Sequence, residues 1–253
     1  MQDQDLTDSQ WERLRELVPG GRKGKRGPRS DGRRFLNALL WMARSGGRWR
    51  DLPERYGNLH TVKTRYYRWL RAGHIDRLFH AVMEDPDLEW IAVDATIIRA
   101  NAQAAGARRK RGGGNAQALG RSRGGFGTKL HAVTDALGLP IRFVVGPGQQ
   151  NEMAAAYALI KGIHAGAVLA DRAYDADGFH DLILEQGGRP VIPPRRTRRH
   201  QHDYDRALYA ARHSIECFFG KLKQFRRVAT RYDKLAETYL GFVKLAAIHI
   251  WLR

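Results

Sequence analysis

Apolar side chains recur at helical spacing through the first 85 residues of the chain. The side chains of Trp11, Leu14 and Leu17 recur about one turn apart, which predicts a helix over residues 5–18 that Thr7 or Asp8 can cap. The same periodicity predicts helical segments at residues 33–45, 51–57 and 60–72. A helix, a short turn and a basic helix form the arrangement of a helix-turn-helix module. The pattern therefore predicts a small all-α domain over residues 1–85.

From about residue 88 the apolar positions form short strand-like runs separated by helices. They predict strands at 89–96, 167–171 and 189–194, a β-hairpin at 126–148, and helices at 151–163, 176–187, 205–226 and 237–253. This order suits a mixed sheet flanked by helices. The pattern predicts a second, α/β domain over residues 86–253, with a mobile basic segment at 100–125 that is rich in Ala, Gly and Arg.

The charge of the chain indicates a polyanionic partner. Its 44 Lys and Arg outnumber 26 Asp and Glu, for a formal net charge of +18. Such a charge raises the local concentration of nucleic acid, although a solvated basic surface has the same composition. The cations predicted to contact phosphate lie on the helix at 60–72 and in two loops: Lys63, Arg65, Arg68, Arg71, Arg108, Arg109, Lys110, Arg111, Arg195 and Arg196. The loop at 22–29 is a further candidate.

Cysteine usage and the N-terminal sequence bear on location. Cys217 is the single cysteine, so the chain forms no internal disulfide, and its apolar neighbours predict a small core side chain. The first ten residues are polar and acidic, unlike a secretory signal, and no apolar run has the length of a membrane span. The sequence predicts a cytoplasmic, nucleoid-associated protein with no membrane partner.

Three acidic residues lie where a metal site is expected. Asp94 and Asp171 each end an apolar, strand-like run, and Glu216 lies on the helix predicted at 205–226. If the two strands are neighbours, their ends converge at one sheet edge, where α/β folds bind ligands. Carboxylates there can hold two Mg²⁺ or Mn²⁺ ions roughly 3.5–4 Å apart against a phosphodiester. Taken singly, each aspartate could instead cap a turn, and Glu216 could pair with Arg212.

Other polar residues near these acids have competing interpretations. Asp175 could assist Asp171, whereas Asp177 is placed to start the next helix. Asp135 occupies the predicted hairpin turn, where aspartate is favoured locally. His131 could face the site, although a hydrogen-bonded core histidine is the more ordinary interpretation.

Four residues of the predicted helix at 205–226 share one stripe. Tyr209, Arg212, Glu216 and Lys223 fall within roughly 60° of one another at 3.6 residues per turn. Arg212 and Lys223 could bind DNA phosphates or position Glu216, and they could equally be solvated. Lys223 is two turns from Glu216 and cannot pair with it, which favours a phosphate role. Tyr209 could stack, form a hydrogen bond or be partly buried.

These motifs together resemble the DDE-type transposases of bacterial insertion sequences, particularly the group named after insertion sequence five. Tyr209, Arg212, Glu216 and Lys223 match the Tyr-x2-Arg-x3-Glu-x6-Lys signature of that family at every spacing. Further similarity lies in VDAT, in GRSRGGFGTKLHAVTDALGLPIRF, in LADRAYDAD and in the N-terminal LTDSQWERL and WRDLPERYG. The resemblance covers nearly the whole chain. Arg172 and Ala173 stand where the family would have Lys and Gly.

The resemblance implies a fold, an activity and a set of catalytic residues. It implies a ribonuclease-H-like core, divalent metal, and cleavage and strand transfer at the terminal repeats of an element, with Asp94, Asp171 and Glu216 as the catalytic acids. Joining two element ends in one complex implies at least a homodimer. Two alternatives remain open: a metal-dependent endonuclease that does not transfer strands, and a DNA-binding repressor with an inactive core.

Overall fold

The computed structural model describes residues 5–19, 31–106, 117–122, 124–199 and 201–253. Within them the helices are α1 (Asp8–Leu14), α2 (Gly32–Ser45), α3 (Leu59–Arg71), α4 (His74–Val82), α5 (Met153–Ile160), α6 (Asp177–Glu185), α7 (Arg206–Ala210), α8 (His213–Lys223), α9 (Arg226–Ala229) and α10 (Ala236–Trp251). The strands are β1 (Ile91–Ala100), β2 (Gly120–Ser122), β3 (Gly125–Thr134), β4 (Pro140–Pro147), β5 (Ala167–Ala170), β6 (Arg189–Val191) and β7 (Thr230–Arg231). Among these helices none has the length and apolar character that crossing a membrane requires.

The chain divides into two compact units. One comprises residues 1–84 together with 222–253, and the other comprises residues 85–221. The first division lies one residue from the boundary predicted at 85/86. The second division falls inside α8 and is not foreseen in the sequence, where residues 222–253 read as part of the α/β domain.

The C-terminal helix α10 packs with the N-terminal helices of the first unit. The Tyr66 hydroxyl on α3 donates a hydrogen bond to the Thr238 carbonyl at 2.7 Å, and both residues are buried. Gly241 on α10 allows this approach, because a Cβ there would lie 2.6 Å from the Tyr66 hydroxyl and 2.5 Å from a methyl group of Leu70. Lys244 pairs with Asp76 on α4. The apolar C-terminal segment is therefore buried against helices that are remote in sequence.

Local signals set the start of α1 and the division between α3 and α4. Thr7 Oγ1 accepts a hydrogen bond from the Gln10 N–H at 3.2 Å, and Gln10 Oε1 accepts one from the Thr7 N–H at 3.0 Å. This reciprocal pair is a capping box and confirms Thr7 as the cap. Gly73 adopts a left-handed conformation with φ 66°, which ends α3 and lets α4 begin at His74. The sequence reading does not separate α4 as a helix.

The second unit is built on a mixed sheet in the order β4-β3-β1-β5-β6. β3 is antiparallel to both β4 and β1, whereas β1, β5 and β6 run parallel. β2 pairs with the start of β3, beside the end of β4. Helices α5 and α6 pack against this sheet. An antiparallel hairpin followed by two parallel strands, with flanking helices, confirms the ribonuclease-H-like α/β fold.

The structure corrects three readings of local sequence. The helix predicted at 205–226 is divided into α7 and α8, and α9 begins only at its last residue. Part of the predicted mobile segment at 100–125 is ordered, as the short helix Ala102–Ala105 and as β2, while residues 107–116 lie outside the described residues. Cys217 is exposed rather than buried, because the apolar residues Ile215 and Phe218 take the inward face of α8.

Candidate active site

Asp94 and Asp171 are neighbours across two parallel strands. The register of β1 and β5 pairs Val93 with Ala170, and each aspartate is the next residue along the chain. The apolar residues that precede the two aspartates on β1 and β5 are buried, as expected for parallel strands at the centre of a sheet. The sheet therefore brings two carboxylates together at the point where the parallel ladder stops.

The prediction that Asp94 ends its strand is wrong. β1 continues to Ala100, because the antiparallel partner β3 goes on pairing as far as Arg99 with Gly127. Only the parallel ladder with β5 ends before Asp94. An aspartate inside a strand is disfavoured by intrinsic preference, so a demand other than strand formation places a carboxylate there.

Asp171 follows β5 and begins a short turn. Its Oδ1 accepts the Ala173 N–H at 2.8 Å, capping the 3-10 helix Arg172–Tyr174. The turn-capping interpretation of this aspartate is thus correct. It leaves the second carboxylate oxygen for another role, so capping and metal binding are compatible at Asp171.

Arg212 joins Asp94 to Glu216. Its Nη1 donates to Asp94 Oδ2 at 3.1 Å, and its Nη2 donates to Glu216 Oε1. The other oxygen of Glu216 lies 3.0 Å from His213 Nδ1. The Arg212 and Asp94 side chains are mostly buried, whereas that of Glu216 is 46% exposed. One guanidinium therefore connects the sheet carboxylate to the helix carboxylate.

The break between α7 and α8 lies at the residue that makes this connection. The Arg212 N–H bonds to the Tyr209 carbonyl, and the Ile215 N–H bonds to that of Arg212, three residues back in each case. Such tight turns interrupt the regular helical repeat. The stripe of four residues predicted for one continuous helix is consequently split, with Tyr209 on α7, and with Glu216 and Lys223 on α8.

Tyr209 and Lys223 differ in their surroundings. The Tyr209 ring packs edge-on against Tyr204 with centroids 5.5 Å apart, and the Arg212 guanidinium lies 5.8 Å from its centroid. Lys223 is exposed at the end of α8. Tyr209 thus contacts the side chain that links the acids, while Lys223 remains available to solvent.

Burial and like charge oppose ionisation of Asp94. Burial raises the pKa of Asp94 to about 6, with the carboxylates of Asp171 and Glu152 acting in the same direction and the Ala95 N–H and Arg212 opposing it. The hydrogen bond with His213, and then Arg212, lower the pKa of Glu216. Ionisation of Asp94 is therefore costly in this site, and a bound cation would reduce that cost.

These residues fit a divalent metal ion. Carboxylate oxygens are the ligands that Mg²⁺ and Mn²⁺ prefer, and a bound cation would relieve the cost of ionising Asp94 beside Asp171. Asp94 and Asp171 can contribute to one ion, and Glu216 can complete the set. Arg212 supplies positive charge between Asp94 and Glu216 when no ion is present.

Metal affinity should depend on pH through Asp94. A carboxylate must lose its proton to bind a metal, so protons compete below the Asp94 pKa of about 6. We expect the affinity for Mg²⁺ to fall by up to about tenfold for each pH unit below that value and to level off above it. Calorimetric titration with Mg²⁺ from pH 5 to 8 measures this. An affinity for Mg²⁺ that does not change between pH 5 and 7 would contradict the assignment of Asp94 as a ligand.

His131 does not share the face of Asp94. It pairs directly with Ala95 on β1, whereas Asp94 pairs with Ala132, and successive strand residues point to opposite faces. Both ring nitrogens of His131 are buried with no hydrogen-bond partner among the described residues, and burial lowers its pKa to about 4. It is a core histidine, but without the hydrogen bonds that the sequence interpretation expected.

The predicted DNA-contacting cations fall into several environments. Arg68 and Arg71 on α3 are exposed, and Lys63 is partly so. Arg65 instead lies over the rings of Phe35 and Trp69 and donates to the Pro19 carbonyl at 3.1 Å. Arg196 is exposed. The two basic loops predicted at 22–29 and 108–111 lie outside the described residues.

Arg195 is held by the turn that follows Asp171. Its side chain donates to the carbonyls of Arg172 at 3.1 Å and Ala173 at 2.6 Å, and its backbone N–H donates to Asp175 Oδ2 at 2.7 Å. These contacts show a role for Arg195 in fixing the loop beside Asp171.

Two clusters were not foreseen in the sequence. In the first cluster, Asp175 contacts His180, Arg198 and His202, and His202 is 27 positions further along the chain. A cavity of about 700 Å³ in the first unit is lined by four arginines and no acid: Arg44, Arg55, Arg226 and Arg253, with Trp41, Ser45, Pro53, Gln224 and Phe225. Neither cluster has a sequence periodicity, since both depend on segments far apart along the chain.

Comparison with known proteins assigns the family. A family model described as "Putative transposase of IS4/5 family" matches residues 6–79, and one described as "Transposase DDE domain" matches residues 85–251. An uncharacterized protein, y4sN, of Sinorhizobium fredii is 61% identical over 108 residues, which are 43% of this chain and 86% of that protein.

Two further relatives carry transposase names. A "Putative transposase for insertion sequence element IS6501" of Brucella ovis is 45% identical over 130 residues, covering 50% of this chain and 98% of the relative. A corresponding protein of element IS402 from Burkholderia cepacia is 29% identical over 131 residues, covering 47% of this chain and 60% of the relative. Among solved structures, a piggyBac transposase synaptic complex with hairpin DNA has a TM-score of 0.49 at 12% identity, over 95% of this chain and 69% of that one. On the two family models and the Brucella relative, the chain belongs to the DDE family of insertion-sequence transposases.

Proposed function

We propose that this transposase binds the terminal inverted repeats of its element, cleaves the DNA there and transfers the ends to target DNA. The catalytic acids are Asp94, Asp171 and Glu216, and they hold two Mg²⁺ or Mn²⁺ ions. The supporting observation is the Asp94–Asp171 pair at the end of the parallel ladder, connected to Glu216 by Arg212. A family whose domain implies a divalent metal, and a buried Asp94 carboxylate whose pKa is raised to about 6, are consistent with it.

Ions held by Asp94, Asp171 and Glu216 would supply activation of the attacking water or 3′-hydroxyl and stabilisation of the leaving oxygen. Asp94 and Asp171 are held rigidly by the sheet, which fixes the direction of their oxygens. Arg212 orients Glu216 and offers a guanidinium to a phosphate once the carboxylates have another cation. Tyr209 keeps the Arg212 side chain against α7.

DNA binding in the first unit is assigned to α3 and to the arginine-lined cavity. Arg68 and Arg71 are exposed on α3, and the cavity places Arg44, Arg226 and Arg253 around one space. Burial, followed by the charge of Arg253, lowers the pKa of Arg44, so an anion in this cavity would relieve the repulsion. A phosphodiester backbone supplies such anions in series.

Neutralising α3 should weaken DNA binding and its salt dependence. For an Arg68→Gln, Arg71→Gln double variant, the slope of log affinity against log salt should fall by about one for each phosphate that these arginines neutralise in the wild type. Arg15→Gln is the matched control, because Arg15 is an exposed arginine that follows α1 and pairs with Glu12. Fluorescence anisotropy with a duplex of the element end, across a salt series, measures the slopes. Equal slopes for the double variant and the wild type would contradict the assignment of α3 to the DNA interface.

A strand-transfer assay tests the proposed activity. Purified protein is incubated with precleaved element ends, whose sequence is read from the DNA flanking the gene, together with target plasmid and Mg²⁺. Ends joined to the plasmid are expected, and in a complex of at least two protomers because two ends must be joined together. Cleavage of uncut ends without joining would instead indicate an endonuclease, and binding without either reaction would indicate a repressor.

A further inference from the structure

Asp175, His180 and His202 form a compact ligand set apart from the three proposed catalytic acids. One ligand atom from each side chain lies within 4.8 Å of both others. Asp175 follows the turn after β5, His180 lies on α6, and His202 follows the basic loop 194–199. Three segments of the second unit therefore converge on one buried carboxylate, whose side chain is 0% exposed.

The distances in this cluster are compatible with side chains that bind one metal ion together. His180 Nε2 and His202 Nε2 each lie 3.3 Å from the same oxygen, Asp175 Oδ1. Ligands bound to Zn²⁺ at about 2.0–2.1 Å in a tetrahedron are about 3.3–3.4 Å from one another. His180 Nε2 is also buried with no hydrogen-bond partner among the described residues. A buried imidazole nitrogen facing a carboxylate oxygen at this spacing is placed to share a cation with it.

The surroundings of Asp175 meet a second requirement of a metal site. Carboxylate ligands are usually held by a further hydrogen bond, and Asp175 Oδ2 accepts the Arg195 N–H at 2.7 Å. Arg198 donates from Nη1 to Oδ1 at 2.8 Å, and its Nη2 already reaches Asp177 at the surface. When a cation binds Asp175, the Arg198 guanidinium can keep its hydrogen bond to the remaining lone pair of Oδ1. It can also give up that bond and pair with Asp177 alone.

We propose that Asp175, His180 and His202 bind one Zn²⁺ ion, with a water in the fourth position, and that this ion fastens the basic loop 194–199 to α6. Two imidazoles and one carboxylate with an open position are a common zinc ligand set. The ion is distinct from those proposed for catalysis, since imidazole ligands select against Mg²⁺. Its role is to fix the loop that carries Arg195 and Arg196 near Asp171.

Metal uptake by the full chain tests this site. Protein is dialysed against ZnCl₂ with a large excess of Mg²⁺ to occupy the catalytic carboxylates, and bound zinc is counted by mass spectrometry. One equivalent is expected for wild type and for Asp94→Asn, and none for His180→Ala or His202→Ala. His164→Ala is the matched control, because His164 is an exposed histidine of the same unit that contacts the Gln186 carbonyl. No uptake by wild type, or unchanged uptake by His202→Ala, would overturn the proposal.

Two further readouts are made first on the wild-type protein. Co²⁺ in place of zinc should give the intense visible bands of four-coordinate cobalt in wild type, and weak six-coordinate bands would overturn the site. Zinc should also slow trypsin cleavage after Arg196 and Arg199 by about tenfold or more at saturation. That protection should be absent in His202→Ala, and cleavage unaffected by zinc in wild type would contradict the fastening role.

Discussion

Asp94→Asn is expected to abolish metal-dependent cleavage and strand transfer. The neutral amide removes one carboxylate ligand from the Asp94–Asp171 pair, and charge stabilisation by bound metal contributes several kcal/mol to such reactions. A loss of about 4 kcal/mol corresponds to about a thousandfold in rate. Gel-based cleavage of element ends in Mg²⁺ measures the change, with Asp181→Asn, an exposed aspartate on α6, as control.

The same substitution should make the metal-free fold more stable. The pKa of Asp94 is raised from 3.8 to about 6, so between those values the folded protein holds a proton that the unfolded chain has released. Stability therefore falls as pH rises through this window, and above about pH 6 the ionised side chain costs on the order of 2–3 kcal/mol. Urea unfolding without metal should show the gain for Asp94→Asn at pH 7 and little of it at pH 4. A loss of stability at pH 7 would give Asp94 a merely structural role.

Arg227→Ala should strongly destabilise the first unit. Arg227 and Asp233 form a buried ion pair at 2.8 Å, each side chain only 6% exposed, and Arg227 also donates to the Gly47 carbonyl at 3.0 Å. Removing one partner leaves an uncompensated buried charge, which costs about 3–5 kcal/mol. Urea unfolding of the full chain, followed by circular dichroism of the helices, measures the change.

A paired variant separates loss of the charge partner from loss of packing. Arg227 also lies over the Phe242 ring at 4.5 Å, so the alanine variant removes both interactions. Combining Arg227→Met with Asp233→Asn keeps much of the volume and leaves no charge buried, and it should recover a large part of the lost stability. A double variant no more stable than Arg227→Ala would show that packing on Phe242, rather than the ion pair, dominates.

Local sequence patterns were sufficient to predict the central strands of the sheet and the positions of Asp94 and Asp171 after their apolar runs. The apolar runs before Asp94 and Asp171 are strands because both faces of β1 and β5 are covered, and such strands read as continuous apolar stretches. Thr7 likewise marks the start of α1, because its side chain caps the helix. In each instance the residues that decide the structure lie within a few positions of the element.

The features that sequence reasoning missed depend on distant partners. β1 extends past Asp94 because β3 continues beside it, and α10 joins the N-terminal helices because Gly241 admits Tyr66. The break before α8 contains neither Gly nor Pro between residues 205 and 219, so no local signal marks it. Arg65 looks identical in sequence to the exposed arginines of α3, and only the positions of Phe35 and Trp69 distinguish it.

Metal rescue tests most directly whether Asp94, Asp171 and Glu216 bind the catalytic ions. Each is replaced singly by cysteine, with Asp181→Cys as control, and cleavage of element ends is measured in Mg²⁺ and in Mn²⁺. Mg²⁺ requires hard oxygen ligands, whereas Mn²⁺ tolerates a softer thiolate. The three variants should be inactive in Mg²⁺ and regain activity in Mn²⁺, while Asp181→Cys works in both. Full activity of any of the three in Mg²⁺, or no recovery at any of them in Mn²⁺, would contradict the assignment.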